Sequence, residues 1–282
     1  MIKTKKYIIQ LFLSMIVLMI VSCEPKIVTD VEVPNVPAKL VLFGFLSPDD
    51  SGIEVEVSMS APIFGSSINS GDLTVSNANV QISNGTLSVN IPFNTVTQMY
   101  QVSQSLFPIV AGQTYTITAS ANGLSVKGST TIPKNIIYSD KANVKLITNS
   151  ATYEEQYIFT FSWKDEPALK NYYRVHFEKP YENWGGDSAA YSLGDGMFKD
   201  ENKDGTIISG QFEHTNYSGA GLPQIFYLYL LNTDINYYEY HRRRLVYFGD
   251  DPFSEPFQQY SNVEGGLGVV SSFRKSRIVV TP

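Results

Sequence analysis

Short segments in which apolar and polar residues alternate recur over much of the chain. Residues 53–59 alternate strictly, as in a strand with one face in water, whereas the continuous apolar run at 39–46 predicts a strand buried on both faces. Asn-Gly pairs at 84–85 and 122–123 each separate two alternating runs, a pattern that predicts a tight β-hairpin. With seven short strands predicted, residues 38–133 have the pattern of a β-sandwich.

Residues 134–282 combine longer apolar runs with a segment rich in glycine and aspartate. Further strands are predicted at 157–163, 172–177 and 225–231, with a last strand or strand pair within 267–280. Residues 179–210 are rich in glycine and aspartate, and we interpret them as a long loop.

One short helix is predicted near residues 234–247, with Thr233 or Asp234 as its N-terminal cap. One face of this helix holds Ile235, Tyr238, Arg242 and Leu245. The whole pattern predicts an all-β fold. It comprises an N-terminal immunoglobulin-like or transthyretin-like β-sandwich at 38–133 and a second β-rich domain at 134–282 with the short helix.

The first 23 residues have the layout of a lipoprotein signal. Three lysines precede an almost wholly apolar run at 7–20, which is shorter than the roughly 20 residues of a spanning helix. The three residues before Cys23, the only cysteine, resemble a bacterial lipobox. That resemblance implies a signal peptide at 1–22, lipidation of Cys23 and membrane attachment through the lipid, with a proline-rich tether at 23–37. The alternative is that Cys23 is a buried thiol in a discarded signal peptide.

Without residues 1–22 the chain has 18 basic and 27 acidic residues, a formal charge of −9. Such an acidic protein is a poor partner for nucleic acid, and we expect it to bind none. Because only one cysteine is present, no disulfide can form within the chain, and stability must come from packing.

Several motifs together resemble a known family. They are Ala78–Ile82, Ala111–Tyr115, Thr131–Pro133, Pro252–Pro256 and Tyr260–Gly268. The last two together form the most specific element. The chain resembles the Bacteroidota lipoprotein family called domain of unknown function 4249. The resemblance implies an outer-membrane lipoprotein, often encoded beside a TonB-dependent transporter, with no established activity and no catalytic residue to carry over. In many surface-exported lipoproteins of these bacteria an acidic run follows the lipidated cysteine, whereas Cys23 is followed by Glu24 and then by Pro25 and Lys26. The protein can therefore be attached to the periplasmic face or to the cell-surface face of the outer membrane.

The segment from Asp200 to Ile207 matches the front half of a calcium loop. The predicted ligands are side-chain oxygens of Asp200, Asn202 and Asp204 and the carbonyl of Thr206, with Gly205 at the sharp turn. Position 12 is Gln211 instead of a bidentate glutamate, so any calcium would be weakly bound and structural. A solvated turn is the alternative. No other cofactor is predicted, because the three histidines lack metal-ligand spacing.

Two groups of residues are candidates for binding a ligand or a partner. Arg242, Arg243 and Arg244 lie among tyrosines and suit a protein interface, or else they complement the C-terminal end of the helix dipole. Tyr181, Trp184 and Tyr191 can stack on a sugar ring or a peptide, or else cover a core.

These features favour a non-enzymatic accessory protein over an enzyme. We expect an outer-membrane lipoprotein that docks on a TonB-dependent barrel and helps capture or take up its substrate. The second hypothesis is a free-standing glycan- or ligand-binding lipoprotein. A hydrolase has the least support, because the chain contains no Gly-x-Ser-x-Gly motif and the acidic residues near 187–204 suit a solvated loop.

Overall fold

A computed structural model describes residues 36–61, 69–149, 154–182, 188–216, 225–246 and 259–282. Cys23, Trp184 and the Pro252–Pro256 motif lie outside these ranges, and for Tyr181 the backbone alone is described. Residues Pro37–Pro282 form one compact unit. None of the helices in the described ranges is both long and apolar enough to cross a membrane.

Fifteen strands and one α-helix make up the described fold. The first part contains a single turn of 3₁₀-helix at Ser70–Leu73 and strands β1 Leu40–Leu46, β2 Gly52–Met59, β3 Asn79–Ser83, β4 Ser88–Asn90, β5 Phe93–Asn94, β6 Met99–Ser103, β7 Thr114–Ala121 and β8 Leu124–Thr131. The second part contains strands β9 Ser139–Asn149, β10 Glu154–Lys164, β11 Tyr172–Glu182, β12 Ser188–Lys199, β13 Ile207–Asn216, β14 Phe226–Thr233 and β15 Leu267–Val280, and helix α1 Ile235–Val246.

The strands form one long sheet and two shorter ones. The long sheet has the order β12-β11-β14-β15-β1-β2-β6-β5, and the shorter sheets have the orders β4-β3-β7-β8 and β13-β10-β9. One hydrophobic core contains residues of β1, β2 and β6 together with residues of β3, β7 and β8. A second core contains residues of β11 and β14 together with residues of β10 and β13. The predicted all-β, sandwich-like fold is therefore confirmed.

Strand β15 belongs to both halves of the long sheet. Its first half pairs in parallel with β1, from Leu267 to Ser272, and its second half pairs antiparallel with β14, from Phe273 to Val280. The two cores separate close to Pro133, but this strand and its sheet are continuous across them. The division into domains at 38–133 and 134–282 stays a prediction.

The predicted long loop at 179–210 is wrong, because Ser188–Lys199 forms β12 and pairs along most of its length with β11. Gly194 and Gly196 of this strand are packing positions rather than turn positions. A Cβ atom on Gly194 would lie 2.6 Å from the ring of Phe212, and one on Gly196 would lie 3.0 Å from the same ring. The aromatic side chain of the facing sheet needs this space, so glycine here indicates a close approach of two layers.

Helix α1 covers the outer face of the long sheet. Asp234 caps it, since its carboxylate accepts a hydrogen bond of 2.8 Å from the backbone N–H of Tyr237. The contact face contains Tyr237, Tyr240 and His241, whose rings lie within 6 Å of the ring of Phe45. Of the face predicted from the sequence, Ile235, Arg242 and Leu245 are exposed and Tyr238 alone is buried. Aromatic side chains on β1 therefore determine which face of the helix packs.

Candidate functional site

Two loops at one end of the second core bring three carboxylates together. Asp165 follows β10, whereas Asp200 and Asp204 lie between β12 and β13. One carboxylate oxygen of each residue lies within 4.8 Å of the others. We call this group the acidic loop cluster. Oxygen ligands at this spacing suit a hard cation such as Ca²⁺.

Backbone and side-chain donors already bind each of these carboxylates. Asp165 is buried and accepts hydrogen bonds from the Tyr173 hydroxyl (2.6 Å) and from the N–H of Gly205 (2.8 Å). Asp204 accepts one from the N–H of Ala168 (2.8 Å), and Asp200 accepts one from the other loop in the same way. The carboxylates therefore tie the two loops together, whether or not an ion joins them.

The proton of Tyr173 is held in place by its surroundings. Burial, together with the hydrogen bond to Asp165, raises the pKa of Tyr173 far above the usual range for a tyrosine. The hydroxyl consequently stays protonated and donates to the carboxylate, which leaves the other oxygen of Asp165 to accept from the N–H of Gly205.

The predicted calcium ligands are only partly brought together. Asp200 and Asp204 belong to the acidic loop cluster. Asn202 is exposed in a left-handed conformation with φ of 61°, and the Thr206 carbonyl accepts a hydrogen bond of 2.9 Å from the backbone N–H of Asp165. Sequence reasoning missed Asp165, because it lies 35 positions before Asp200 and nothing in the local pattern connects the two loops. The weak calcium site stays a prediction.

The three arginines of the predicted interface lie on the C-terminal half of α1. Arg242 pairs with Glu239 at 2.9 Å, and Arg244 donates a hydrogen bond of 3.1 Å to the Tyr240 hydroxyl. The guanidinium of Arg243 lies 5.5 Å from the ring centroid of Tyr260. Arg242 and Arg244 are nevertheless exposed, so this surface can contact a partner.

Of the predicted stacking residues, Tyr191 is the one whose side chain is described. It lies on β12, is 53% exposed, and has the Lys179 ammonium 5.9 Å from its ring centroid. The side chains of Tyr181 and Trp184 lie outside the described part, so the predicted cluster of three aromatic residues is not tested.

A second polar group, which sequence reasoning missed, lies on the outer face of β11 beside α1. The Arg174 guanidinium binds Asp195 of β12 through two hydrogen bonds of 2.9 and 2.5 Å and donates a third, of 2.7 Å, to the Tyr237 hydroxyl. Further along β11, His176 and Glu178 lie 2.8 Å apart. The alternation of residues 172–177 could have indicated these outward positions, but not their neighbours on other strands.

The glycine-rich segment of the most specific family motif has a structural role. The side chain of Asn262 accepts from the N–H of Val270 (2.9 Å) and donates to its carbonyl (2.8 Å), as a neighbouring strand would. Gly268 has φ of 117°, and a Cβ atom there would overlap the carbonyl oxygen of Leu42. This motif therefore fixes the start of β15 against β1.

Comparison with known proteins gives one family match. The family model described as a domain of unknown function (DUF4249) matches residues 27–278. No curated protein matches the chain.

Proposed function

The chain belongs to the DUF4249 family, and on that premise we propose that it is a non-enzymatic accessory or binding subunit of an outer-membrane transporter of the TonB-dependent class, anchored by a lipid on Cys23. In this role it helps its partner capture or take up a substrate. The observation that carries the proposal is the signal layout of residues 1–23, which ends at the only cysteine of the chain.

The length of the tether supports a role close to the membrane. Sixteen residues separate Cys23 from the first residue of β1, Leu40. A chain of this length reaches about 60 Å at most. A lipid on Cys23 would therefore keep Leu40, at the start of β1, within that distance of the bilayer.

The exposed surface of α1 supports a protein partner. Arg242 and Arg244 are exposed on the helix, and Tyr260 lies beside Arg243. Arginine and tyrosine are the residues most enriched at the energetic centres of protein interfaces. Because the mature chain is acidic overall, this basic and aromatic surface is a distinctive place for an acidic partner surface to bind.

The test is a mild-detergent purification of the lipidated protein from its own membrane, with mass spectrometry of the proteins that accompany it. We expect a TonB-dependent barrel in stoichiometric amount. A Cys23→Ser variant should leave the membrane fraction and lose the partner. A protein that is purified alone from the membrane would overturn the accessory role.

The docking surface is tested in the same experiment. Reversing the charge of Arg242 and Arg244 to glutamate should release the barrel, whereas the same change at the exposed Lys141 and Lys145 of β9 serves as the matched control. Equal retention of the barrel by both variants would exclude the helix as its contact surface.

A further inference from the structure

The outer face of the second half of the long sheet carries an open groove of about 360 Å³. We call it the outer-face groove. Leu231 and Phe273 form its apolar part, and its polar part comprises Arg174, His176, Glu178 and Lys275, with Tyr229 between them. The volume is within the usual range for small-ligand sites.

Strand register explains why these residues meet. Arg174 of β11 pairs with Leu231 of β14, and Leu231 pairs with Lys275 of β15. One row further along, His176 pairs with Tyr229. Alternate residues of a strand point to opposite faces, so these side chains lie on the face away from the second core, to which Val175, Phe177, Leu228 and Leu230 belong.

Aromatic rings continue the surface beside the groove. The ring centroids of Tyr227 and Tyr229 are 6.4 Å apart, and both side chains are half-buried. The guanidinium of Arg277 lies 4.7 Å from the ring centroid of Tyr227. Two neighbouring tyrosines on a sheet thus provide a rigid apolar surface with polar hydroxyl tips.

Both hydrogen-bond donors and hydrogen-bond acceptors line the groove. The Glu178 carboxylate lies 2.8 Å from Nε2 of His176, Lys275 pairs with Asp50, and Arg174 is held by Asp195. The other ring nitrogen of His176, Nδ1, has no hydrogen-bond partner among the described residues and is 3.9 Å from Asp195. This nitrogen is buried, so a ligand in the groove does not reach it.

These charges are paired, which limits the kind of ligand that fits. A metal ion would meet the cationic groups of Arg174 and Lys275, and a phosphate would meet Glu178. A hydroxyl group, by contrast, both donates and accepts, so it can bind either member of an ion pair. A ring with hydroxyl groups at its edge and C–H groups on its face also matches the surface of Tyr229.

From this combination we propose that the outer-face groove is a carbohydrate-binding site. A sugar ring stacks on Tyr229, and its hydroxyl groups bind Glu178 and Lys275. Tyr227 and Arg277 extend the same face, so an oligosaccharide can occupy more than one position along it. The site lies on the sheet and not on the arginine surface of α1, and it does not depend on the transporter partnership.

The experiment uses the full-length protein in detergent on an array of neutral and uronic-acid oligosaccharides, followed by calorimetric titration of each sugar that binds. Tyr229→Ala should weaken binding about tenfold, in line with the loss of one stacked aromatic contact. Glu178→Gln removes a charge with little change of shape and should also weaken binding. Tyr138→Ala, at a tyrosine that is 64% exposed elsewhere on the chain, is the matched control and should bind as the wild type does.

Thermal unfolding of each variant establishes that it is folded. If Tyr229→Ala does not fold, Glu178→Gln still tests the site. The proposal is supported if both groove variants bind the sugar more weakly and the control variant binds it as the wild type does. The proposal is overturned if no sugar on the array binds, if binding survives both groove substitutions, or if the groove retains only a peptide. If the protein binds a sugar but no barrel accompanies it in the detergent purification, the accessory role is overturned and the carbohydrate site is not.

Discussion

Three glycine residues of this protein lie where another part of the fold comes unusually close. Gly194 and Gly196 leave room for the ring of Phe212, and Gly268 leaves room for the backbone of β1. In Gly268 a positive φ adds a second requirement, because residues with a Cβ atom rarely adopt φ of 117°. Such a glycine stabilises the fold because it has no side chain where a neighbouring group needs the space.

Replacing Gly268 by alanine should therefore destabilise the protein strongly. The new Cβ would overlap the Leu42 carbonyl and strain the backbone, and we expect the free energy of unfolding to fall by about 3 kcal/mol. Urea denaturation measures this. Gly85→Ala is the matched control, since Gly85 has φ of 90° with nothing within 4 Å, and it should cost about 1 kcal/mol. Equal costs would refute the steric explanation.

His241 is a neutral imidazole within an aromatic cluster. Its ring lies 4.2 Å from the ring of Tyr237 and 5.6 Å from that of Phe45. Burial, reinforced by the positive charge of Arg174, lowers the pKa of His241 to about 3. In the unfolded chain the pKa returns to about 6.5, so between these two values only the unfolded state binds the proton.

Stability should consequently fall as the pH drops from about 6.5 toward 3, by up to about 1.4 kcal/mol per pH unit from this histidine. His241→Phe keeps an aromatic ring without a titrating group, so its loss of stability over this pH range should be smaller. Urea unfolding at a series of pH values compares the two proteins. Parallel curves for wild type and variant would contradict the assignment.

At the scale of elements, the loops that follow β10 and β12 behave as one unit. Asp165, Asp200 and Asp204 each accept a backbone N–H from the opposite loop. The same three carboxylates are close enough for a cation, and the Asp200 loop has part of the calcium pattern. Hydrogen bonds and an ion would stabilise the same arrangement.

A weak calcium site makes a quantitative prediction. With a dissociation constant of about 1 mM, typical of weak sites, about 10 mM calcium should raise the free energy of unfolding by about 1.4 kcal/mol. Asp204→Asn should abolish that increase, and Asp72→Asn, at an exposed acid of the 3₁₀ turn, should preserve it. If calcium does not change the stability of the wild type, the acidic loop cluster acts only through its hydrogen bonds.

At the scale of the whole molecule, β15 connects the two cores. Its first half supplies Val270 to the first core, and its second half supplies Val280 to the second. Asp49, in the turn after β1, also binds Arg274 of β15 through hydrogen bonds of 2.9 and 3.1 Å. The first sandwich therefore depends on residues from the end of the chain.

A fragment of residues 38–133 should accordingly fail to fold by itself. It lacks β15, so β1 loses its parallel neighbour and Gly128 loses the packing of Val270. Circular dichroism and amide-proton NMR of the fragment measure this, and adding residues 134–282 should restore structure. A folded fragment 38–133 would instead support the independent domain predicted from the sequence.

The sequence alone determined the local elements. Alternation and Asn-Gly turns located β2, β3, β4, β7 and β8, and a cap at Thr233 or Asp234 located α1, because each depends on residues a few positions apart. Tertiary structure alone decided how β15 divides between two partners, that Gly194 and Gly196 lie in a strand, and that Asp165 joins Asp200. It also assembled the outer-face groove from three strands. These features depend on contacts between distant positions, such as Asp49 and Arg274, whose pairing no local periodicity records.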